Sequence, residues 1–169
     1  MKKLYVFVEG SDDERFVRYY FKNRDVQIIQ YANMPYKEFG NLVQTISHTS
    51  NADYVVLADA DGATIEAKKS KFIKRRPKCS SSKVFISQHE IESWYIAGLN
   101  NSNSIKYKVK NISCTDTFSK EEFDKLIPKG FTSISFKVEI LKLFDLDLAK
   151  SRNTSFEIFA SANKRERAL

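Results

Sequence analysis

Two aspartates directly follow an apolar stretch, in the segment Tyr54–Gly62 (Tyr-Val-Val-Leu-Ala-Asp-Ala-Asp-Gly). An unbroken apolar run with two valines predicts a buried strand of a parallel sheet, which Gly62 is expected to end. Residues two apart in a strand point the same way, so Asp59 and Asp61 are expected to emerge side by side. Open α/β sheets bind ligands at this edge, and a hard divalent cation would neutralise the two carboxylates. The alternative is that these acids only end the strand and begin a turn.

A second acidic group follows the first predicted strand, Leu4–Val8, which ends in Glu9 and Gly10. Ser11–Glu14 predicts a capping box, with its first residue as N-cap and its last residue reaching back. Gly10 is expected to allow the tight bend, and Asp13 then lies in the first helical turn. Carboxylates favour a helix N-terminus, which would explain Asp13 without a site. A strand end does not need a charge, so Glu9 is the stronger candidate for a functional residue.

Apolar spacing predicts strands and helices in alternation over the first half of the chain, which implies a parallel sheet with right-handed crossovers. We therefore predict an α/β fold: a small Rossmann-like central parallel sheet of about four strands, flanked by helices, with a helical C-terminal part. One domain is expected, with a core over about 1–99 and a helical extension over about 115–163. The further predicted elements are strands at 26–29 and 83–87, helices opening at Pro35, Thr64, Ser119 and Thr154 or Ser155, a helical pattern through Ile134, Val138, Leu141 and Phe144, a loop or irregular hairpin at 100–113, and a frayed tail at 164–169.

The chain is basic, with a net charge of +7, and seven cations are concentrated between positions 68 and 78. Few acids interleave them, which favours contact with a polyanion such as DNA or RNA over the alternative of a solvated helix end. The predicted nucleic-acid contacts are Lys68, Lys69, Lys71, Lys74, Arg75, Arg76 and Lys78. The two cysteines have neither metal-type nor disulfide-type spacing, and no run is long enough for a membrane span. A reduced, cytoplasmic protein without a membrane partner is expected.

A third acidic segment follows the predicted strand at 83–87. His89–Gly98 contains Glu90 and Glu92, and its apolar residues predict a helix that stops at Gly98. The two glutamates would be about 200° apart on such a helix, so at most one comfortably faces the edge of the sheet. Trp94 on the same helix is interpreted as a core residue.

These motifs, in this order, resemble the Toprim domain. The family signature is a glutamate at a strand end followed by D-x-D on a later strand, here Glu9 and then Asp59-Ala60-Asp61. Val8–Phe16 further resembles the variant found in the overcoming-lysogenization-defect (OLD) nucleases, in which an acid four residues after the glutamate joins the metal site. Asp13 occupies that position. The segment His89–Trp94 resembles part of short stand-alone bacterial Toprim-like proteins.

The resemblance implies a nuclease, or a related phosphodiester-handling enzyme, that depends on Mg²⁺ or Mn²⁺ and acts on nucleic acid, in a defence or repair system. Asp59 and Asp61 would hold the metal, with help from Asp13 and from Glu92 or Glu90. Glu9 would act as general acid/base or complete the metal shell. No topoisomerase, primase or ATPase region accompanies these motifs. A stand-alone module, or one subunit of an operon-encoded system with an ATPase or another protein as partner, is therefore expected.

Other functions remain open. The segment Asp59–Thr64 also resembles the D-x-D-G-T loop of haloacid-dehalogenase-type phosphatases, but that motif normally follows the first strand, and here an extra residue displaces the threonine. Response-regulator receivers place their acids differently, and a Glu-Gly turn fits neither family. The non-enzymatic alternative is a basic nucleic-acid-binding or complex-forming subunit whose acids bind a structural ion.

Overall fold

The computed structural model describes residues 2–110 and 112–163. It divides into two compact units, which within the described residues span 2–86 and 87–163. The prediction of a single domain is not tested by this division and stays a prediction. In the part of the chain that is described, no helix has the length and apolar character needed to cross a membrane.

The first unit contains a four-stranded sheet in the order β2-β1-β3-β4. The central strand β1 pairs in parallel with both β2 and β3, so that Phe7 is level with Val56 and Val8 is level with Gln30. The predicted fold class, α/β with a parallel sheet of about four strands, is confirmed. The strands are β1 (Lys3–Val8), β2 (Val26–Gln30), β3 (Ala52–Asp59) and β4 (Val84–Ser87).

Three helices connect the strands of the first unit, and their bounds are α1 (Ser11–Tyr20), α2 (Tyr36–Ser47) and α3 (Ile65–Arg75). Helices α2 and α3 share one apolar cluster with the sheet, in which the Phe39 ring packs against both Phe7 and Phe72. The predicted starts of both helices are confirmed. Pro35 is the N-cap of α2, and the Thr64 hydroxyl caps α3 by accepting a hydrogen bond from the Ala67 amide.

Two details of the first unit differ from the sequence predictions. The N-cap of α1 is Gly10 rather than Ser11, and Asp13 rather than Glu14 reaches back, with Oδ2 2.9 Å from the Gly10 amide nitrogen. Gly10 has a φ of −146°, an extended value open to any residue, so the bend does not require glycine. Strand β3 ends at Asp59, not at Gly62, because Asp61 and Gly62 turn with φ values of +52° and +77°.

The second unit is helical. The loop predicted at 100–113 is wrong in part, because α5 forms there and the Asn100 side chain caps it by accepting from the Asn103 amide. The sequence also gave no prediction of α8, whose N-cap is Asp145. The tail predicted to fray lies outside the described residues. The helices are α4 (Glu92–Ala97), α5 (Asn101–Lys106), α6 (Lys120–Leu126), α7 (Ser133–Lys142), α8 (Leu146–Arg152) and α9 (Thr154–Ala162).

The core of the second unit is built around Trp94, which is buried as predicted. Its indole Nε1 donates to Ser155 Oγ over 2.8 Å, and its ring packs against Phe156 and Phe159. Gly98 follows the last residue of α4, as predicted, and the Phe144 ring fills the space that a Cβ would need. A larger residue at position 98 would therefore displace this ring.

Helix α7 exposes two residues that its apolar spacing predicts to be buried. Ile134 and Val138 are 57% and 39% exposed. The buried face instead contains Phe136, Lys137 and Ile140. The other two residues of the predicted pattern are buried. A lysine interrupts the apolar pattern on the buried face, so the spacing identified that face only in part.

Candidate functional site

Glu9 lies immediately beyond β1, at the carboxyl edge of the parallel sheet. Because Val8 is level with Gln30 in the neighbouring strand, the next residue of that strand, Tyr31, is brought beside Glu9. The Tyr31 hydroxyl lies 3.0 Å from Glu9 Oε1 and 3.3 Å from the Leu57 carbonyl oxygen. It has one proton to donate, so these two acceptors share it.

Burial raises the pKa of the Tyr31 hydroxyl far above its usual value, and the neighbouring Glu9 carboxylate raises it further. The hydroxyl therefore stays protonated over the whole physiological range and remains a donor toward Glu9. This arrangement holds one carboxylate oxygen of Glu9 in place. It leaves the glutamate side chain about one-third exposed.

Asp61 lies in the turn after β3, where its φ of +52° removes it from the alternation of the strand. Asp59 is therefore the last residue of the strand, and the strand alternation that was expected to place Asp61 beside it does not extend to Asp61. Aspartate is one of the residues that adopt this backbone conformation most readily. The Asp61 side chain is 60% exposed.

Lys68, on the second turn of α3, connects these two acidic positions. Its ammonium group forms an ion pair with Asp61 Oδ2 and lies 3.9 Å from Glu9 Oε1. The side chain is only 19% exposed, whereas lysines at a solvated helix end are usually open. Glu9 from β1 and Asp61 from β3 therefore converge on one cation, which in this structure is an ammonium group.

The other two predicted ligands of the first unit are more enclosed. Asp59 is the last residue of β3 and is partly buried. Asp13 is 4% exposed, and one of its carboxylate oxygens accepts the hydrogen bond from the Gly10 amide that closes the turn after Glu9. Asp13 therefore has a structural role in fixing the turn that presents Glu9.

A cleft of about 350 Å³ opens beside Glu9 and Asp61. It is lined by acidic groups, by cations of α3 and the residue after it, and by aromatic rings. A second depression of about 320 Å³ also reaches Glu9, on the side of the chain at 30–38. The residues that line the first cleft are Glu9, Tyr31, Ala32, Tyr36, Asp61, Lys68, Lys71, Phe72, Arg75 and Arg76.

The seven predicted nucleic-acid contacts do not share one surface. Besides Lys68, the cleft is lined by Lys71, Arg75 and Arg76. Lys69 and Lys74 line a different depression on α3, together with Glu66 and Ser81. Lys78 donates to Asn41 Oδ1 over 3.0 Å. Helical periodicity separates the cations in this way, and the sequence prediction treated them as one group.

The two glutamates of the second unit have partners of their own. Glu92 is 3% exposed, and its Oε1 lies 2.6 Å from the Nζ atom of Lys137, which is itself 1% exposed. Glu90 precedes α4 rather than lying on it, and its Oε2 accepts from the Lys120 amide at the start of α6. The argument that placed the two glutamates about 200° apart on one helix therefore fails.

Sequence reasoning missed Tyr31, Tyr36 and Lys137. Tyr31 had a usable signal, since it lies two residues after the end of the second predicted strand, close to the edge at which Glu9 was expected. Tyr36 is the first residue of α2, and neither its place in the cleft nor the buried pair of Lys137 leaves a local sequence pattern. Among the residues that the structure describes, no three or more His, Cys, Asp or Glu side chains are grouped so that they could hold a metal ion.

Comparison with known proteins identifies a fold relative. No protein-family model and no curated protein matches the chain. Among solved structures, the C-terminal region of the OLD protein from Xanthomonas campestris pv. campestris matches with a TM-score of 0.50 and 12% identity, over 96% of each chain. At this identity the match shows the fold alone. The chain therefore has an α/β fold related to that of the C-terminal region of an OLD protein.

Proposed function

We propose that this chain is a divalent-metal-dependent nuclease or a closely related enzyme that acts on phosphodiester bonds of nucleic acid. The observation that carries the proposal is the convergence of Glu9 and Asp61, from the ends of two neighbouring parallel strands, on one cation. The same cleft is also lined by Lys71, Arg75 and Arg76. The resemblance of the acidic motifs to those of the OLD nucleases, on a fold related to the OLD C-terminal region, supports the same class of function.

Carboxylate oxygens are the donors that Mg²⁺ and Mn²⁺ prefer, and an ammonium group between Glu9 and Asp61 indicates that this position favours a cation. Glu9 and Asp61 would hold the ion, and Asp59 would have to move toward them, because no three such side chains of the described residues are grouped for a metal in this structure. The ion would polarise the phosphoryl oxygen and stabilise charge on the leaving oxygen. Asp13, Glu90 and Glu92 stay predicted ligands. For Glu92, metal binding would require the carboxylate to leave its ion pair with Lys137.

The chain's own residues have separate tasks in this proposal. The Tyr31 hydroxyl orients Glu9, and Asp13 fixes the turn that presents it. Lys68 compensates the charge of the two carboxylates when no other cation is present. Once a metal ion binds there, its ammonium group would turn to a substrate phosphate. Lys71 and Arg75 are free of ion pairs within the described part of the chain and would contact flanking phosphates.

A cleavage assay tests the proposal, with a labelled oligonucleotide in Mg²⁺, in Mn²⁺ and in chelator. Wild type should release product only with metal. Glu9→Gln and Asp61→Asn should each lower the rate by at least about 100-fold, the low end of the contribution expected from a positioned acid or base. Asp12→Asn is the matched control and should retain activity, because Asp12 pairs with Arg15 on the surface of α1. Equal loss of activity in all three variants would mean that these acidic residues have only a structural role.

The second candidate function is a non-catalytic nucleic-acid-binding subunit, and the Lys68 arrangement is the observation that favours it. A lysine that already compensates Glu9 and Asp61 could make a metal unnecessary. Oligonucleotide binding without metal-dependent cleavage would select this function. Turnover of small phosphomonoesters, with no cleavage of oligonucleotides, would instead select the phosphatase alternative. A partner ATPase stays a prediction, to be sought by co-purification.

A further inference from the structure

The cleft beside Glu9 is lined by aromatic rings as well as by cations. Tyr36 is the first residue of α2 and is 52% exposed, although most large apolar side chains of the first unit are buried. Its ring lines the same cleft as Glu9, Asp61 and Lys68. An open aromatic ring in a charged cleft requires a reason other than core packing.

Arg76 lies against that ring. The centre of its guanidinium group is 4.6 Å from the centroid of the Tyr36 ring and 4.4 Å from that of Phe72, and it also contacts the rings of Tyr31 and Phe39. Its Nε atom is buried and has no hydrogen-bond partner among the described residues, and the side chain forms no ion pair there. The guanidinium group is therefore held by rings, which fixes the orientation of Tyr36 and leaves a positive charge uncompensated.

We infer that Tyr36 and Arg76 form a stacking platform for an unpaired base, so that the substrate class is single-stranded nucleic acid. The inference deepens the proposed function and rests on it for the role of Glu9. A base stacked on the exposed part of the Tyr36 ring would have its phosphates near Lys71 and Arg75, which line the same cleft. Bases offer their faces to an aromatic side chain only when they are not enclosed in a duplex.

The platform is sequence-tolerant, because every base has an aromatic face. It also explains why the cleft is lined by both cations and aromatic rings, since the backbone of a single strand needs cations and its bases need flat apolar surfaces. The alternative is a purely structural role, in which Arg76 only anchors the end of α3 on α2 and Tyr36 is exposed because it begins a helix. The two interpretations differ in whether binding depends on the bases.

The experiment measures binding by fluorescence anisotropy in chelator, so that no cleavage occurs. The probes are a short single-stranded DNA, its RNA counterpart, the same DNA as a duplex, and a single strand whose central bases are replaced by abasic sites. Loss of one stacked base should weaken binding by about 5- to 150-fold. Tyr36→Ala should therefore bind the single strand this much more weakly, Tyr36→Phe should bind like wild type, and wild type should bind the duplex and the abasic strand weakly.

The matched control is Tyr19→Ala. Tyr19 also has a cation near its ring, with Lys22 Nζ 5.7 Å from the ring centroid, but it is partly buried and does not line the cleft. It should leave binding unchanged. If a thermal melt shows that Tyr36→Ala does not fold, the inference is tested by wild-type binding to the abasic strand, because this probe removes the base rather than the ring.

Equal affinity for the abasic and the normal strand, or for the single strand and the duplex, would overturn the inference. So would a folded Tyr36→Ala variant that binds the single strand as wild type does. These outcomes are distinct from failure of the proposed function. Base-dependent binding without metal-dependent cleavage would support the platform and contradict the nuclease, and cleavage without base-dependent binding would do the reverse.

Discussion

Two lysine–carboxylate arrangements in this molecule differ in how much water reaches them. In the first unit, Lys68 contacts Glu9 and Asp61, and the two carboxylates are 31% and 60% exposed. In the second unit, Lys137 and Glu92 are 1% and 4% exposed at the side chain, and the Lys137 ammonium also lies over the Tyr95 and Phe123 rings. The same two chemical groups thus occur once at an open edge and once inside a core.

The difference decides how readily each lysine can be exchanged for another cation. An ion pair open to water contributes about 0–1 kcal/mol, so a metal ion can displace Lys68 from the carboxylates, or a substrate phosphate can draw Lys68 away from them, at little cost. Removing one partner of a buried pair leaves a charge without compensation in a medium that solvates it poorly. A site that binds and releases ligands is therefore expected at Glu9 and Asp61, and Glu92 is expected to keep Lys137 unless a metal replaces it.

The largest expected effect is on the buried pair. Lys137→Met should lower the free energy of unfolding by roughly 3–5 kcal/mol, because Glu92 stays buried without its partner. Chemical denaturation measures this directly. The double variant Lys137→Met/Glu92→Leu should regain much of the loss.

The Lys137→Met variant also tests whether a metal ion can take the place of the lysine beside Glu92. If Mn²⁺ restores the stability of Lys137→Met, then a metal reaches Glu92, as the sequence predicts, and the buried pair is also an exchangeable site. If Mn²⁺ has no effect, Lys137 and Glu92 have only a structural role.

The next largest effect is the pH dependence of the free energy of unfolding that is due to Tyr31, beside Glu9. Its pKa is raised in the folded state above the ordinary value of 10.0, so its contribution to stability is full below pH 10 and is lost as pH rises further. The loss should be about 1.4 kcal/mol per pH unit above 10. Tyr31→Phe should remove this component from melts between pH 9 and 11. Burial also raises the pKa of Tyr54, to about 12, so some decline should remain in the variant.

A smaller effect is expected from the cations of the cleft. Lys71→Gln/Arg75→Gln should flatten the slope of log affinity against log salt by roughly 1.5–2 units if both side chains contact phosphates. Lys69→Gln/Lys74→Gln removes the same charge from the other side of α3 and should change the slope less. Equal slopes for the two double variants would show that only the net charge matters. Arg76 is left intact in both because it packs against aromatic rings.

The smallest effect is expected from Asp61→Asn without metal. The ion pair with Lys68 is exposed, so the free energy of unfolding should change by less than about 1 kcal/mol. Repulsion between the Asp59 and Asp61 carboxylates would by itself make the double variant Asp59→Asn/Asp61→Asn as stable as wild type or more stable. Lys68 reduces that repulsion, so no large gain is expected. A strongly destabilised Asp61→Asn variant would mean that the open edge is structural after all.

The elements of the sheet were predictable because buried parallel strands are short apolar runs and their helices begin at recognisable residues, such as Pro35 and Thr64. Glu9 and Asp61 were also predictable, since the carboxyl ends of neighbouring parallel strands meet at one edge. Helix α5 was not, because its sequence is polar and lacks a period. Its main local signal is the cap at Asn100.

The ion-pair partners of the charged residues could largely not be predicted from the sequence. The spacing between Thr64 and Lys68 gives one helical turn, but it does not say that this lysine, rather than its neighbours, turns back to the acids. Glu92 and Lys137 are 45 residues apart, so nothing local pairs them. The metal, the nucleic-acid contacts and the roles of Glu90 and Asp13 as ligands stay predictions.

The most direct test of the central claim is a Mn²⁺ titration followed by calorimetry. The claim is that Glu9 and Asp61 form an exchangeable cation site. Wild type and Asp12→Asn should bind Mn²⁺ with the same affinity, Lys68→Ala should bind it more tightly because its competitor is gone, and Glu9→Gln/Asp61→Asn should lose the site. If the last variant binds Mn²⁺ as wild type does, the claim is contradicted.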